Sequence, residues 1–280
     1  MKLGLGTVQF GQAYGVSNTR GQVSREEAAA VLERAAAAGI TVLDTAANYG
    51  EAENVLAGLD TAPFRIVTKT ASSRDGPEAV VIRARASKAA LPQADTLLVH
   101  AAADLSDAAL WPALQRLKQD GVFRRIGIST YFADDPVALA ARFRPDVMQL
   151  PFSLLDQRLL KDGSLARLKN MGVEIHARSL FLQGLMLMAP ESLPAHLRGA
   201  QPHLTALRSR LAQAGTTPLA AALGFVLSHP EIAIALVGVT ARNELDEVLF
   251  AAAHPLPEMD WSACAMEDER ILTPSLWNRP

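Results

Sequence analysis

The sequence predicts an α/β protein built as a single-domain (β/α)8 TIM barrel, and three observations predict it. Strand-like and helix-like segments alternate from one end of the chain to the other, as a parallel sheet with crossover helices requires. Eight strand candidates can be counted in 280 residues, and a barrel of this kind uses about 250. Reactive side chains follow the apolar runs of the second, third and fourth strands, where a barrel gathers its catalytic groups.

The strand candidates are Lys2–Thr7, Ile40–Leu43, Phe64–Thr68, Asp95–Val99, Arg125–Ile128, Val147–Leu150, Val173–Ala177 and Ala233–Val237. Between the first two lies the best-marked helix, Ser24–Ala38. Ser24 followed by Glu26 and Glu27 resembles a capped start, the alanines favour helix, and Gly39 ends it. Pro77–Ala90, Ser106–Gln119, Leu159–Met171 and Arg242–Ala253 read the same way, and Thr217–Ser228 leads into the eighth strand. After the seventh strand the rhythm breaks, because Pro190, Pro194 and Pro202 punctuate a stretch without clear periodicity. Loops on the catalytic face usually set the substrate. A tail from His254 to Pro280 holds Pro255, Pro257, Trp261 and Trp277.

Composition narrows the partners. Apolar residues make up 49% and charged residues 20%, enough for a core and without a sign of disorder. The 27 basic and 29 acidic residues are interspersed and the net charge is −2, so neither nucleic acid nor an anionic membrane is the expected partner. A small molecule is. Met1–Gly6 runs straight into strand-like sequence, and no apolar run reaches the roughly 18 residues of a membrane span, so a cytoplasmic location is expected. Cys264 is the lone cysteine, which excludes an internal disulfide and a cysteine metal cluster; packing near the C-terminus is its expected role, and no metal site is expected. The sequence assigns no oligomeric state.

Four residues carry the chemistry: Asp44, Tyr49, Lys69 and His100. Singly, each has an ordinary explanation as a cap, a rim aromatic, a solvated amine or a rim histidine. Jointly they put an acid, a phenol, an amine and an imidazole at one mouth, a set suited to proton transfer to a carbonyl oxygen. An ammonium close to a phenol favours its ionised form, which is the task assigned to Lys69 beside Tyr49. Asp44 keeps Lys69 protonated in a partly buried site. His100 donates a hydrogen bond to the carbonyl and holds it near the phenol.

These residues sit in longer motifs. Leu5-Gly6-Thr7 with Phe10-Gly11, Leu43-Asp44-Thr45-Ala46-Ala47-Asn48-Tyr49-Gly50 with Glu53, Val67-Thr68-Lys69 and Leu98-Val99-His100 follow one another in order. So do Ile126-Gly127-Ile128-Ser129, Gln149, Ser179 with Gln183-Gly184-Leu185, and Val237-Gly238-Val239 before Arg242-Asn243-Glu244-Leu245. In this ordered set the chain resembles the aldo-keto reductase family, over residues 2 to about 253 of one domain spanning 1–280. The resemblance implies a β/α barrel that binds NADP or NAD across its mouth and reduces a small-molecule aldehyde or ketone, with Asp44, Tyr49, Lys69 and His100 as the catalytic tetrad. By the same resemblance Ser129 and Gln149 bind the nicotinamide carboxamide, Asp44 reaches the nicotinamide ribose, and Gly6 and Thr7 belong to the cofactor site. Ser179, Leu180, Gln183 and Gly184 match the loop under the pyrophosphate. Gly238, Thr240, Arg242 and Glu244 meet the adenosine phosphate, where a helix start offers backbone N–H groups.

The chain also departs from the family pattern. Thr130 stands where Asn is common, and Arg178 stands where an aromatic often stacks on the nicotinamide. A flat guanidinium can stack too, although a surface arginine at a strand end is the alternative. Gly238 and Glu244 occupy positions that hold a lysine and an arginine in many NADPH-dependent members, leaving Arg242 as the nearby cation, so a preference for NADP over NAD is not expected. Aromatic content of 5% favours a small aldehyde or sugar derivative over a steroid as substrate. Two other readings compete: a nucleotide-sensing regulatory protein on the same barrel, and a Schiff-base lyase using Lys69, which a close Asp44 opposes.

Overall fold

The computed structural model describes residues 1–277. The strand candidates correspond to eight parallel strands, β1 (Leu3–Gly6), β2 (Val42–Asp44), β3 (Arg65–Lys69), β4 (Ala94–Val99), β5 (Arg125–Ser129), β6 (Val147–Pro151), β7 (Glu174–Arg178) and β8 (Ile232–Gly238), closed as a barrel in sequence order. Boundaries differ from the expected ones by one or two residues, the usual uncertainty at element ends.

Side chains alternate along a strand, and this explains how the mouth is populated. Val42, Val67, Leu98, Val147, Ile234 and Leu236 form a buried cluster of their own inside the barrel. Two residues further along the same strands stand Asp44, Lys69, His100, Gln149 and Gly238. The same step from Gly127 reaches Ser129 and from His176 reaches Arg178. Register completes the arrangement, for Gly6 lies beside both Asp44 and Gly238, and Ser129 beside Gln149.

The helices cover the outside. Helix α1 (Arg25–Ala37) buries Ala28, Val31, Leu32 and Ala35, one helical face, and Ser24 accepts the Glu27 N–H at 3.2 Å as its cap. Next come α2 (Ala52–Ala57), α3 (Gly76–Ala90), α4 (Leu110–Gln119), α5 (Pro136–Phe143), α6 (Ser164–Asn170), α7 (Gln201–Gln213), α8 (Pro218–Ser228) and α9 (Arg242–Ala252). The expected helix Leu159–Met171 is broken into a short turn, Arg158–Lys161, and α6, because Gly163 takes a left-handed conformation between them. Helix α7 falls inside the stretch expected to be loop: Pro202 stands at its first turn, where proline's missing N–H costs nothing, and so starts the helix. Asp135 and Pro136 likewise start α5, with the Asp135 carboxylate accepting the Ala138 N–H at 3.1 Å.

Charge fastens the opposite end of the barrel. Arg65, Arg125 and Glu174 are the first residues of β3, β5 and β7; Glu174 accepts from Arg65 at 3.0 Å and from Arg125 at 2.7 Å, and meets His176 Nε2 at 2.8 Å. The His176 hydrogen bond, offset in part by burial and aided by Arg65, draws the Glu174 carboxyl down to about 2. The tail packs against the barrel through Met266 N–H to the Leu155 carbonyl and Gln157 Nε2 to the Trp261 carbonyl, both 2.8 Å, and Cys264 is buried within it. The last three residues of the expected tail, 278–280, lie outside the described residues. Among the described residues no single helix is long and apolar enough to cross a membrane.

Candidate active site

Lys69 is the centre of the mouth. Only 1% exposed, its Nζ donates to Asp44 Oδ2 at 2.6 Å, to the Thr45 carbonyl at 3.0 Å and to the Tyr49 hydroxyl at 3.2 Å. Three partners use the three hydrogens of an ammonium. Burial opposes its charge, but the Asp44 carboxylate and the Tyr49 oxygen outweigh burial and hold Lys69 above the ordinary lysine range. Asp44 is fixed from the other side, where Gln149 Nε2 donates to Oδ1 at 2.6 Å.

Tyr49 is half-buried on the loop after β2, and the His100 ring meets it edge to face with centroids 5.7 Å apart. His100 Nδ1 is buried without a hydrogen-bond partner. Burial first, then the Lys69 ammonium, lower His100 to about 4, so the imidazole is neutral at physiological pH. The four tetrad candidates are therefore brought together. Glu53 supports them from behind: it accepts from Thr68 Oγ1 at 2.6 Å, Arg83 at 2.6 Å and Ser87 Oγ at 2.9 Å, tying α2 to β3 and α3.

A cavity of ≈ 810 Å³ opens over this cluster and extends to the start of α9. Its walls include Gly6, Asp44, Tyr49, His100, Ser129, Gln149, Arg178, Ser179, Leu180, Gln183, Gly184, Gly238, Thr240 and Glu244. Lys69 lies beneath the wall. Two other expected residues are also not on it. Thr7 is fully buried, its hydroxyl donating to the Asp44 carbonyl at 2.9 Å, so it braces β2 from below. Arg242 stands outside, and its backbone N–H is donated to the Glu27 carboxylate.

The adenosine-end expectation changes in a second respect. Thr240 donates its N–H at 2.7 Å and its hydroxyl at 2.9 Å to Glu244. Two backbone donors at this helix start are thus spent on carboxylates, of Glu27 and Glu244. Arg178 is also more committed than expected: it donates to the Thr130 carbonyl at 2.8 Å and to Ser179 Oγ at 3.2 Å, and its guanidinium lies 4.4 Å from the Tyr131 ring centre.

After β7 the backbone is strained. Three of the five non-glycine residues with positive φ in the described chain, Ser179, Leu182 and Gln183, fall in this turn. The Gln183 carbonyl accepts the Val16 N–H at 3.0 Å, so the loop after β1 reaches across to it. That first loop, with Gln9, Tyr14 and Arg20 on the cavity wall, was missed in the sequence, as was Tyr131. The rule that loops following strands line the mouth is the signal that would have found them.

The cavity suits a dinucleotide by several tests. Its volume lies within the roughly 300–1,000 Å³ of small-molecule sites. Polar atoms without partners stand at or beside it, among them Gln9 Oε1 and Thr130 Oγ1. Gly238 keeps its backbone open, since a β-carbon there would lie 2.7 Å from Gln9 Oε1.

An acid, a lysine, a phenol and an imidazole thus converge on one long cleft at the mouth of a closed eight-stranded barrel. The family model for the aldo/keto reductase family matches residues 2–268, and the chain belongs to that family, whose members use NAD(P)H. An uncharacterized oxidoreductase of Mycobacterium tuberculosis is 28% identical over 279 residues, covering 90% of this chain and 84% of that protein. L-galactose dehydrogenase of Arabidopsis thaliana is 28% identical over 276 residues, covering 89% and 85%. An aldo-keto reductase of Mycolicibacterium smegmatis is 30% identical over 154 residues, about half of each protein at 51% and 54%. Among solved structures, the holo form of a Bacillus halodurans aldo-keto reductase matches with a TM-score of 0.74 at 20% identity, covering 94% of this chain and 90% of that one. An aldo/keto reductase from Klebsiella pneumoniae in complex with NADP and acetate matches with a TM-score of 0.71 at 20% identity, covering 94% and 89%.

Proposed function

We propose that this protein reduces an aldehyde or ketone to the alcohol with NADPH or NADH, Tyr49 delivering the proton. The observation that carries the reading is the hydrogen-bond chain from Gln149 through Asp44 and Lys69 to the Tyr49 hydroxyl, which ends at the cavity. Because the Tyr49 oxygen accepts from Lys69, its own hydrogen is available to a carbonyl oxygen in the cavity. The ammonium then steadies the oxygen as its proton leaves. Neutral His100 retains one N–H, and with Nδ1 buried, Nε2 is the nitrogen that meets the same carbonyl oxygen and orients it.

When bound, the reduced nicotinamide supplies the hydride for the carbonyl carbon. Ser129 and the free Oε1 of Gln149 would hold its carboxamide, the turn Ser179–Gly184 its pyrophosphate, and Gly238 to Glu244 its adenosine end. Arg178 borders the nicotinamide pocket. The Schiff-base alternative needs an unprotonated, accessible amine, and Lys69 is buried, charged and saturated with partners. The test is nucleotide oxidation with a panel of small aldehydes, ketones and sugar derivatives, for wild type and Tyr49→Phe. Tight nucleotide binding without turnover of any carbonyl would favour the nucleotide-sensing reading instead.

A further inference from the structure

We propose that Arg178 biases this site toward reduced nucleotide, so that NADH or NADPH binds well above its oxidised counterpart. The inference rests on the reading of the cleft as an NAD(P)H site and adds a property that reading does not require.

Arg178 closes β7 and lines the cavity together with Ser129 and Gln149. Its partners are all neutral: the Thr130 carbonyl at 2.8 Å, Ser179 Oγ at 3.2 Å and the Tyr131 ring. Among the described residues no carboxylate pairs with it, whereas the fully buried cation of the mouth, Lys69, is neutralised by Asp44 at 2.6 Å. Arg178 is therefore the uncompensated charge of the inner cleft. Its field reaches the reacting groups, being one of the influences that keep His100 neutral.

The place of the hydride donor follows from the chemistry. A carbonyl held by Tyr49 and His100 takes hydride only from a ring about 3–3.5 Å from its carbon. Tyr49 and His100 follow β2 and β4, so the space left for that ring is bounded by the ends of β5, β6 and β7, where Ser129, Gln149 and Arg178 stand. The reduced ring is neutral and the oxidised ring carries one positive charge. Hydrogen bonds to the carboxamide and phosphates are nearly indifferent to that difference. A guanidinium a few Å away is not, and at an effective dielectric between those of protein and water its repulsion corresponds to roughly tenfold in affinity. Recognition of a substrate anion is the weaker use of this residue, because two of its amino groups and one face are already occupied.

The test is a set of dissociation constants, measured by titration calorimetry without turnover, for NADPH, NADP+, NADH and NAD+. Wild type should bind the reduced form at least tenfold more tightly than the oxidised form of the same nucleotide. Arg178→Met, which removes the charge at similar length, should shrink that ratio about tenfold, chiefly by tightening the oxidised form. Arg178→Lys should keep most of it. A tenfold change in the ratio is about 30 mV in the potential of the bound two-electron couple. Arg178→Gln serves as a second neutral variant, since it can still donate to the Thr130 carbonyl. An unchanged ratio in both neutral variants, with both forms still bound, overturns the proposal and leaves the nucleotide site standing. Failure of wild type to bind any of the four nucleotides overturns both.

Discussion

Gly11 and Tyr49 touch through their backbones: a β-carbon at Gly11 would lie 1.8 Å from the Tyr49 carbonyl oxygen and 2.4 Å from the Ala52 nitrogen. Those are backbone atoms, so no side-chain rotation relieves the overlap. Gly11→Ala should shift the loop that carries Tyr49, lowering kcat at least tenfold at a stability cost of about 1–3 kcal/mol. Kinetics paired with thermal unfolding check it, and full activity in a stable variant would mean the loop adapts freely.

Tyr49→Phe deletes the proposed proton donor and little else. It should reduce kcat by about 10²–10⁴-fold with nucleotide dissociation constants within a few-fold of wild type. Retention of most carbonyl reduction by the phenylalanine variant would point to another acid.

Lys69→Met strands the Asp44 carboxylate in a buried position, 4% exposed, with Gln149 its remaining side-chain donor. The expected loss is about 3–5 kcal/mol of unfolding free energy. Adding Asp44→Asn should restore part of it, because the stranded charge disappears. Denaturant unfolding of the two single variants and the double variant measures the coupling, and strict additivity would mean the pair does not interact.

Acid should weaken the fold in two overlapping windows. His100 is lowered from 6.5 to about 4, so its contribution is present above 6.5 and is lost as pH falls from there toward 4. Glu174 is lowered from 4.5 to about 2, so its contribution is lost between those values. Both terms have the same sign. His100→Gln should flatten the upper window of a stability–pH curve and leave the lower one, which unfolding at a series of pH values would reveal. The activity of wild type should likewise show no titration near 6.5 attributable to this histidine.

Glu27 and Glu244 stand at the start of α9, where a 2′-phosphate would approach, and Arg242 does not line the cleft. NADH should therefore bind within about tenfold of NADPH, since exposed charge terms of this kind amount to about 1 kcal/mol each. Glu244→Arg should move preference toward NADPH by roughly 1–2 kcal/mol, although it also removes the acceptor of the Thr240 N–H. Wild-type selectivity for NADPH above about a hundredfold would require a phosphate site elsewhere.

Much of this molecule is legible in its sequence because the decisive signals are local. Each strand is a short apolar run, and the tetrad residues follow such runs, so alternation along the strand delivers them to one mouth. What escaped is what depends on distance or on ambiguous punctuation. Pro202 reads equally as a loop marker or a helix start, and only the packing of Leu204, Leu207 and Leu211 decides for a helix. The stacking of Arg178 on Tyr131 joins residues of different strand ends, and the Glu27 carboxylate meets the Arg242 N–H across 215 positions. No periodicity encodes such meetings. They turned an arginine open to two readings, stacking platform or surface charge, into a clamped cation, and a helix start read as a phosphate cradle into one guarded by carboxylates.

The fastening of Arg65, Arg125 and Glu174 sits at the first residues of β3, β5 and β7, and Lys69, Ser129 and Arg178 are the last residues of those same strands. One set of strands thus holds the barrel shut at one end and presents polar groups to the mouth at the other, four residues along each strand. Change at the mouth is thereby insulated from the floor. Exchange of the loops after β1 and β7, by selection or by a protein engineer, can reshape the cleft while the scaffold stays closed, which makes this barrel a reusable chassis.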